Sequence, residues 1–532
     1  MALRFFPARR AGYNAAAGSN GFGAAMEACT WRQRLLALLV LVFAVVLFFG
    51  RLQARALWSE EVRWAEIPRE MERSGDYFQP TFNGKTYYDK PLGSYWLVLA
   101  IKALTGADQE MAARLPCALA GLLSVWFIMR IAARLFGPAV APLAGLILAT
   151  SFSFVFFARH ASTDVETIAG VLGALWLFLA HEHRPDGWWT LLLWTIMALT
   201  SLTKGLLGFV LPLAIIASYR LCTHEPTSSS ARWAAGRILA SQGWLCHRKT
   251  LLAIPVALAI YLSPFIISSV RTGSHEGLTM VFRENIRRFY DPVNHRGPVY
   301  LYAGVVFELL APWSILLPAA LWQLHRKRSA VEVSARGERF ALAFFWTVFV
   351  FFTLSVSRRS YYLLPILPAA ALLIAQLLVQ KRADLLTCSR WLMLGGLNPR
   401  RLAFALGIVA SIGMVAIFLV ALPALESTRS RKPFAEEVQR LVGSDMDHLA
   451  LYHERDVVFY LAPSWPLAEY ATEQELAEAI DHGQVEWVIA RRSDLEKLKT
   501  TLVPVLHETE SPWEWQIQRN AKLVLLAVRR GG

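Results

Sequence analysis

Long apolar runs separated by short polar and basic loops occupy the chain from residue 35 to residue 424. The runs lie at 35–50, 112–131, 138–157, 165–181, 187–201, 205–221, 250–268, 299–323, 339–356, 361–379 and 402–424. A bilayer core about 30 Å thick is crossed by about 20 apolar residues of helix, so each run predicts a span. A shorter apolar stretch, 93–105, stands apart. Basic loops orient the bundle, because cytoplasmic loops carry the excess of Lys and Arg. Arg130, Arg134, His183 and Arg184 fall on one side, with Arg232, Arg237, His247, Arg248 and Lys249. His325, Arg326, Lys327 and Arg328 join them, as do Lys381, Arg382, Arg390, Arg400 and Arg401.

The opposite, outward side then collects 51–111, 158–164, 202–204, 269–298, 357–360 and everything after 425. Residues 51–111 begin and end outside, so 93–105 cannot be one complete crossing. The pattern predicts about eleven to thirteen crossings, with the N-terminus inside and the C-terminus outside. Residues 1–34 are polar and basic, and the run 35–50 ends at Arg51 without an A-x-A cleavage pattern. This predicts a retained signal anchor.

The tail 425–532 changes character. Its apolar runs shorten to strand length at 448–452, 486–490 and 521–528, with helix-like stretches at 433–442 and 473–481. It reads as a small α/β domain on the outward side. The expected architecture is therefore a polytopic α-helical membrane protein: a basic N-terminus at 1–34, a transmembrane region at 35–424 with a large first loop at 51–111, and the α/β domain.

Composition agrees. Of 532 residues, 55% are hydrophobic and only 18% charged, too apolar a balance for a soluble surface. The net charge of +14 would suggest nucleic acid in a soluble protein. Here the cations flank apolar runs, where they serve orientation and headgroup contact. Five Cys with no CxxC indicate neither a disulfide framework nor a zinc site.

The first outward loop holds the densest chemistry. Trp64, Ile67 and Met71 recur at helical spacing, which predicts an amphipathic surface helix with Glu61, Arg63, Glu66 and Glu70 on its wet face. Pro68 predicts a kink or two short helices there. Glu60 and Glu61 read either as first-turn acids behind an N-capping Ser59 or as carboxylates that accept a proton or face a metal. Tyr88, Asp89 and Lys90 read either as interfacial anchors or as part of a phosphate site. Asp164 opens a span, either as a cap or as an acid converging with Glu60 at the outward bundle end. Lys204, between two spans with almost no loop, must snorkel or meet an anion. Arg358 and Arg359, followed by Tyr361 and Tyr362, are cations on the wrong side for orientation, to be balanced by an outward acid or a bound anion. His295 reads as structural unless a carboxylate joins it to hold a metal. Transfer from a lipid phosphate needs such a set: cations to neutralise the leaving phosphate and a carboxylate to activate a hydroxyl. No G-x-x-x-x-G-K-[ST] loop occurs, so nothing marks a nucleotide-driven pump.

Ordered motifs give these residues a family likeness. W-x-[DE]-E followed by R-[YW]-A-E-I-x-R-E-M spans Trp58 to Met71, S-G-D lies at 74–76, and Y-[ED]-K-P-x-x-x-Y-W runs from Tyr88 to Trp96. Asp164, L-T-K-G at 202–205, H-[KR]-x-P at 295–298 and Y-x-L-P at 362–365 follow in order. Over about residues 30–425 the chain resembles the GT-C glycosyltransferases that use lipid-phosphate sugars, within them the 4-amino-4-deoxy-arabinose lipid A transferase and bacterial protein O-mannosyltransferase-like group. The resemblance implies a GT-C bundle and inverting transfer of one sugar from a polyprenyl-phosphate donor to a hydroxyl on a glycolipid, glycan or protein. It places the reaction at the periplasmic face of a bacterial inner membrane. Glu60 stands where that family usually has Asp, with Glu61 and Asp164 as further catalytic carboxylates. Arg63, Tyr88, Lys90, Lys204, Arg358, Arg359 and Tyr362 fall around the donor phosphate. By similarity Asp89 and His295 hold a divalent metal. The competing readings are a transporter or flippase of a lipid-linked sugar, which requires polar or interrupted helices at the midplane, and a non-catalytic envelope scaffold.

Overall fold

A computed structural model describes residues 30–58, 60–184, 187–223, 241–290, 296–326, 332–379, 399–426, 430–464, 466–495, 497–498, 505–510 and 522–528. Among them, seven helices are long and apolar enough to cross a membrane, and two bent helix pairs raise this to nine. The predicted runs 187–201 and 205–221 form the shorter helices Trp189–Lys204 and Leu207–Thr223. The chain is a polytopic α-helical membrane protein. Ser59 and His295, and most of the basic loops near 232, 328 and 390, lie outside the described residues.

The two bent pairs explain each other. Ala141–Ala149 and Phe152–Ala158 meet at 71°, and Leu301–Leu309 and Trp313–Gln323 at 119°. Broken helices inside a bilayer need partners for their freed backbone groups. The Phe152 amide at the first break donates to the Ala311 carbonyl at the second (2.9 Å), and the Trp313 indole donates to the Thr150 hydroxyl (2.9 Å). Each break thus satisfies the other.

Gly93–Thr105 is a helix of 13 residues. At 1.5 Å per residue it is about 20 Å long, too short for a full crossing, as the parity of the loop requires. It packs on the amphipathic helix Glu61–Ser74, whose buried face includes Val62, Trp64, Ile67 and Met71. Pro68 lies inside that helix without dividing it, because burial on both sides overrides the local preference. The expected wet face is covered as well. Glu61 and Glu66 are buried, and Glu70 accepts from the Thr81 hydroxyl (2.5 Å) and the Asn83 amide (2.7 Å) of a small hairpin, β1 (Thr81–Phe82) and β2 (Lys85–Thr86). An Asn83-Gly84 turn with positive φ at both residues joins these strands, the geometry that favours tight hairpins.

The C-terminal segment carries strands β3 (Leu449–Tyr452), β4 (Ala468–Tyr470), β5 (Trp487–Arg491), β6 (Val505–Glu510) and β7 (Leu523–Val528) in the order β4-β3-β5-β7-β6. β4, β3 and β5 are parallel, and β7 and β6 are antiparallel. Three strands and the helices Lys432–Val442 and Glu473–Asp481 fall where the sequence pattern predicts. β4 and β6, short or alternating with charged residues, give no apolar run. The sheet sits on the first loop: the Asn83 side chain donates to the Leu467 carbonyl (2.9 Å) and accepts from its amide (2.8 Å), while Arg69 and Arg73 reach the carbonyls of Phe459 (3.0 Å) and Pro463 (3.1 Å).

Candidate active site

Helix ends and loops at one end of the bundle enclose a cavity of about 930 Å³. Its lining combines apolar side chains, among them Leu207, Val210, Phe289, Phe351 and Phe352, with ionic ones, among them Glu60, Arg63, Asp89, Lys90, Asp164, Lys204 and Arg359. Segments distant in the chain therefore supply one amphipathic site.

Helix ends position these groups. Lys204 is the last residue of its helix, and Gly205 follows at φ +74. A Cβ at Gly205 would lie 2.1 Å from the Asn285 carboxamide oxygen, which instead accepts from the Leu206 amide at 2.6 Å. Only glycine permits that close approach. Lys204 pairs with the carboxylate of Asp164, the first residue of Asp164–His181, and its ammonium lies 5.5 Å from the Tyr362 ring centroid. Asp164 is thus an ion-pair partner, and the N-cap position itself falls on Thr163 with no side-chain cap bond. Gly93 brings the first loop against this helix end, since a Cβ there would meet the Leu202 carbonyl at 2.6 Å.

Glu60 forms the centre of the second ionic group. One carboxylate oxygen lies 2.9 Å from Arg63, the other 3.1 Å from Arg359. Arg63 also contacts Asp89 (3.1 Å) and the Tyr87 hydroxyl (3.2 Å), and Lys90 shares Asp89 at 3.1 Å. Burial raises the Glu60 pKa, but Arg63, Arg359 and Lys90 together hold it below the ordinary value. The group is a carboxylate at neutral pH and remains partly exposed to the cavity, at 46%.

Glu61 is committed elsewhere. It is buried against Arg114 (2.7 and 2.8 Å) and accepts from the Ala161 amide (2.9 Å) and the Trp58 amide (3.1 Å). Burial raises its pKa, but Arg114, with His160 at 3.4 Å, brings it down to about 2. Two further candidates stand away from the cavity wall. The Tyr88 hydroxyl is buried against Ser268 and the Phe78 carbonyl, and Arg358 braces backbone, donating to Gly297 (2.5 Å) and Thr353 (2.9 Å). Of the two adjacent arginines, Arg359 is the one that reaches the cavity.

Asp89 lines the cavity, whereas His295 lies outside the described residues. Among the described residues no three His, Cys, Asp or Glu side chains converge as a metal site. Arg63 and Lys90 both contact the same Asp89 oxygen, Oδ2. Residues the sequence reading did not single out also line the cavity: Trp58, His160, Arg283, Asn285 and Arg287. Arg283 and Arg287 carried the signal already used for Arg358 and Arg359, positive charge in an outward loop.

A bent helical bundle with short additional helices and an ionic cavity at one end is the architecture of the GT-C membrane glycosyltransferases, and this chain has that fold. ArnT from Cupriavidus metallidurans, bound to undecaprenyl phosphate, superposes with a TM-score of 0.71 at 22% identity over 93% of this chain and 99% of its own. The archaeal oligosaccharyltransferase AglB from Archaeoglobus fulgidus follows the same fold with a TM-score of 0.52 at 11% identity, over 88% of this chain and 70% of its own. Residues 89–241 match the dolichyl-phosphate-mannose-protein mannosyltransferase family. An undecaprenyl phosphate-alpha-4-amino-4-deoxy-L-arabinose arabinosyl transferase of Pseudomonas aeruginosa is 30% identical over 66% of this chain and 60% of its own length. An uncharacterised protein of Aquifex aeolicus is 28% identical over 64% of this chain and 63% of its own. The chain spans about three fifths of the length of these relatives. The likeness read from the first-loop motifs is borne out.

Proposed function

We propose that the chain transfers a single sugar from a polyprenyl-phosphate donor to an acceptor hydroxyl, with inversion, at the periplasmic face of a bacterial inner membrane. The observation that carries this reading is the cavity's mixed lining. Its apolar side chains suit a polyprenyl chain, and the cations of Lys90, Lys204 and Arg359 suit a phosphate beside the carboxylate of Glu60. The named activities of the Pseudomonas relatives point the same way.

Glu60 takes the acceptor's hydroxyl proton as that oxygen attacks the anomeric carbon from the face opposite the phosphate. The bond from that carbon to the phosphate oxygen breaks, and the carrier phosphate leaves with the electron pair. Lys90, Lys204 and Arg359 stabilise the charge that grows on it. Arg359 and Arg63 hold Glu60 before the donor arrives. A phosphate that draws on the same guanidinium groups weakens that hold and makes Glu60 more basic at the moment of reaction. Asp164 positions Lys204, and Glu61 holds the loop. The N-terminus faces the cytoplasm, and the C-terminal sheet faces the periplasm. Residues 1–34, 35–424 and 425–532 serve as basic N-terminus, catalytic bundle and α/β domain. Any divalent ion near Asp89 would also require His295.

Purified protein incubated with radiolabelled polyprenyl-phosphate sugars and envelope acceptors tests the reading. Label appearing in an acceptor, and lost in Glu60→Ala and Lys90→Ala proteins that remain folded, supports it. Equal turnover by both variants overturns the site, and label moved across the bilayer without transfer favours a flippase.

A further inference from the structure

A second crevice, of about 380 Å³, shares Glu60 and Arg63 with the first cavity. Its far wall comes from the C-terminal sheet. Three parallel strands stand there in the order β4-β3-β5, and every residue the sheet contributes falls near the carboxyl end of one of them. His453, Glu454 and Asp456 follow β3, Tyr470 and Ala471 end β4, and Arg491 ends β5. The chain runs from β3 to β4 on one side, then crosses to β5 on the other. In open α/β sheets the carboxyl edge at such a reversal is where ligands bind. The backbone is specialised at this edge: His453 has φ +55, and its ring meets the Ala471 carbonyl at 2.8 Å.

We propose that this crevice is the acceptor subsite, and that it takes an uncharged or zwitterionic carbohydrate group whose hydroxyl is presented to Glu60. The proposal rests on the transferase reading and adds the place and class of the acceptor. The crevice shares only Glu60 and Arg63 with the donor cavity, so an occupant reaches the carboxylate without crossing the phosphate site. Its charges are paired within the protein. Lys85 and Arg455 lie 3.0 and 2.8 Å from Glu469, and Arg431 and Arg491 each lie 3.0 Å from Glu454. Paired charges offer hydrogen bonds in both directions with little net field, which suits polyhydroxy groups better than phosphate. The rings of Phe82, Tyr87 and Tyr470 supply the flat apolar faces that sugar C–H edges pack against. The volume falls in the range of about 300–1,000 Å³ usual for small-molecule sites.

Ala471 is exposed at the end of β4, so Ala471→Trp fills the crevice with little risk to folding, and Gln474→Trp, exposed on the following helix and outside both cavity linings, serves as the control. The full chain is assayed with radiolabelled polyprenyl-phosphate sugar and detergent-extracted envelope glycolipids as acceptor. Undecaprenyl phosphate alone is the donor-site probe. The expected result is a rise of roughly tenfold or more in the half-saturating acceptor concentration for Ala471→Trp. Undecaprenyl phosphate binding by Ala471→Trp, and the acceptor dependence of Gln474→Trp, should stay at the wild-type level. Unchanged acceptor dependence in Ala471→Trp overturns the proposal while the transferase reading stands, and so does a change confined to undecaprenyl phosphate binding. Inhibition of transfer by inorganic phosphate that Ala471→Trp abolishes would also overturn it, by making the crevice an anion site. A wild-type chain that neither binds undecaprenyl phosphate nor transfers label overturns both readings.

Discussion

Glu60 and Glu61 adjoin in the chain and face opposite ways: Glu60 opens on the cavity between Arg63 and Arg359, and Glu61 is sealed against Arg114. The two acids should therefore fail differently. Glu60→Gln keeps the shape and removes the proton acceptor, so transfer should fall by roughly 10²–10⁴-fold with the melting temperature unchanged. Glu61→Ala leaves the Arg114 guanidinium buried without its counter-charge and should cost about 3–5 kcal/mol of stability. Parallel turnover and thermal-unfolding measurements separate them. A stable, inactive Glu61→Ala protein would contradict the division.

The Glu61–Arg114 pair also sets a pH dependence. The carboxyl titrates at about 2 in the folded chain against an ordinary 4.5. The folded state thus holds the proton less tightly than the unfolded state. The pair's stabilisation is fully present above pH 4.5 and is lost as pH falls toward 2. A shift of that size is worth about 3 kcal/mol. Unfolding midpoints measured across this window should drop for the wild type and stay flatter for Glu61→Gln. A parallel drop in both would assign the acid sensitivity to other groups.

Arg358 and Arg359 should separate in the same way. Arg359→Ala removes a cavity cation and should lower kcat/KM roughly ten- to a hundredfold while the fold is kept. Arg358→Ala removes two hydrogen bonds to backbone carbonyls and should destabilise the turn by about 1–3 kcal/mol. Donor titration and unfolding, run on both variants, give the answer. Loss of donor binding in Arg358→Ala at unchanged stability would make Arg358, and not Arg359, the phosphate-binding arginine.

Those two residues show where sequence reading stops. Charge of the wrong sign for its side of the membrane marks both arginines, but only the turn at 355–362 decides which one faces inward. Seven of the eleven runs were legible as spans because twenty apolar residues have few alternatives, whereas hydropathy did not show that the runs 138–157 and 299–323 bend by 71° and 119°. The short helix at 93–105 was legible by parity. The burial of Glu61 was not, because Arg114, which covers it, lies tens of residues away, and neither was the docking of the sheet on the first loop, since Asn83 and Leu467 lie hundreds of residues apart. The Asn83-Gly84 turn was a local signal that the apolar pattern alone passed over. Convergence of Glu60, Lys90, Asp164 and Lys204 on one cavity could be anticipated from their common membrane face, and their pairings could not.

The pairing of Lys204 with Asp164 carries the last prediction. If Lys204 meets the donor phosphate and Asp164 only orients it, the two substitutions should not add. Lys204→Gln removes the cation and should lower kcat/KM by roughly ten- to a hundredfold. Asp164→Asn keeps a hydrogen-bond acceptor for the ammonium and should cost less. In the double variant Asp164 has nothing left to orient, so the loss should equal that of Lys204→Gln alone, whereas independent contributions would multiply. Undecaprenyl phosphate binding should follow the same pattern, because the cation serves ground state and transition state alike. If Asp164→Asn instead costs as much as Glu60→Gln and leaves undecaprenyl phosphate binding intact, Asp164 is itself the proton acceptor, and Glu60 becomes the residue that holds Arg63 and Arg359 in place.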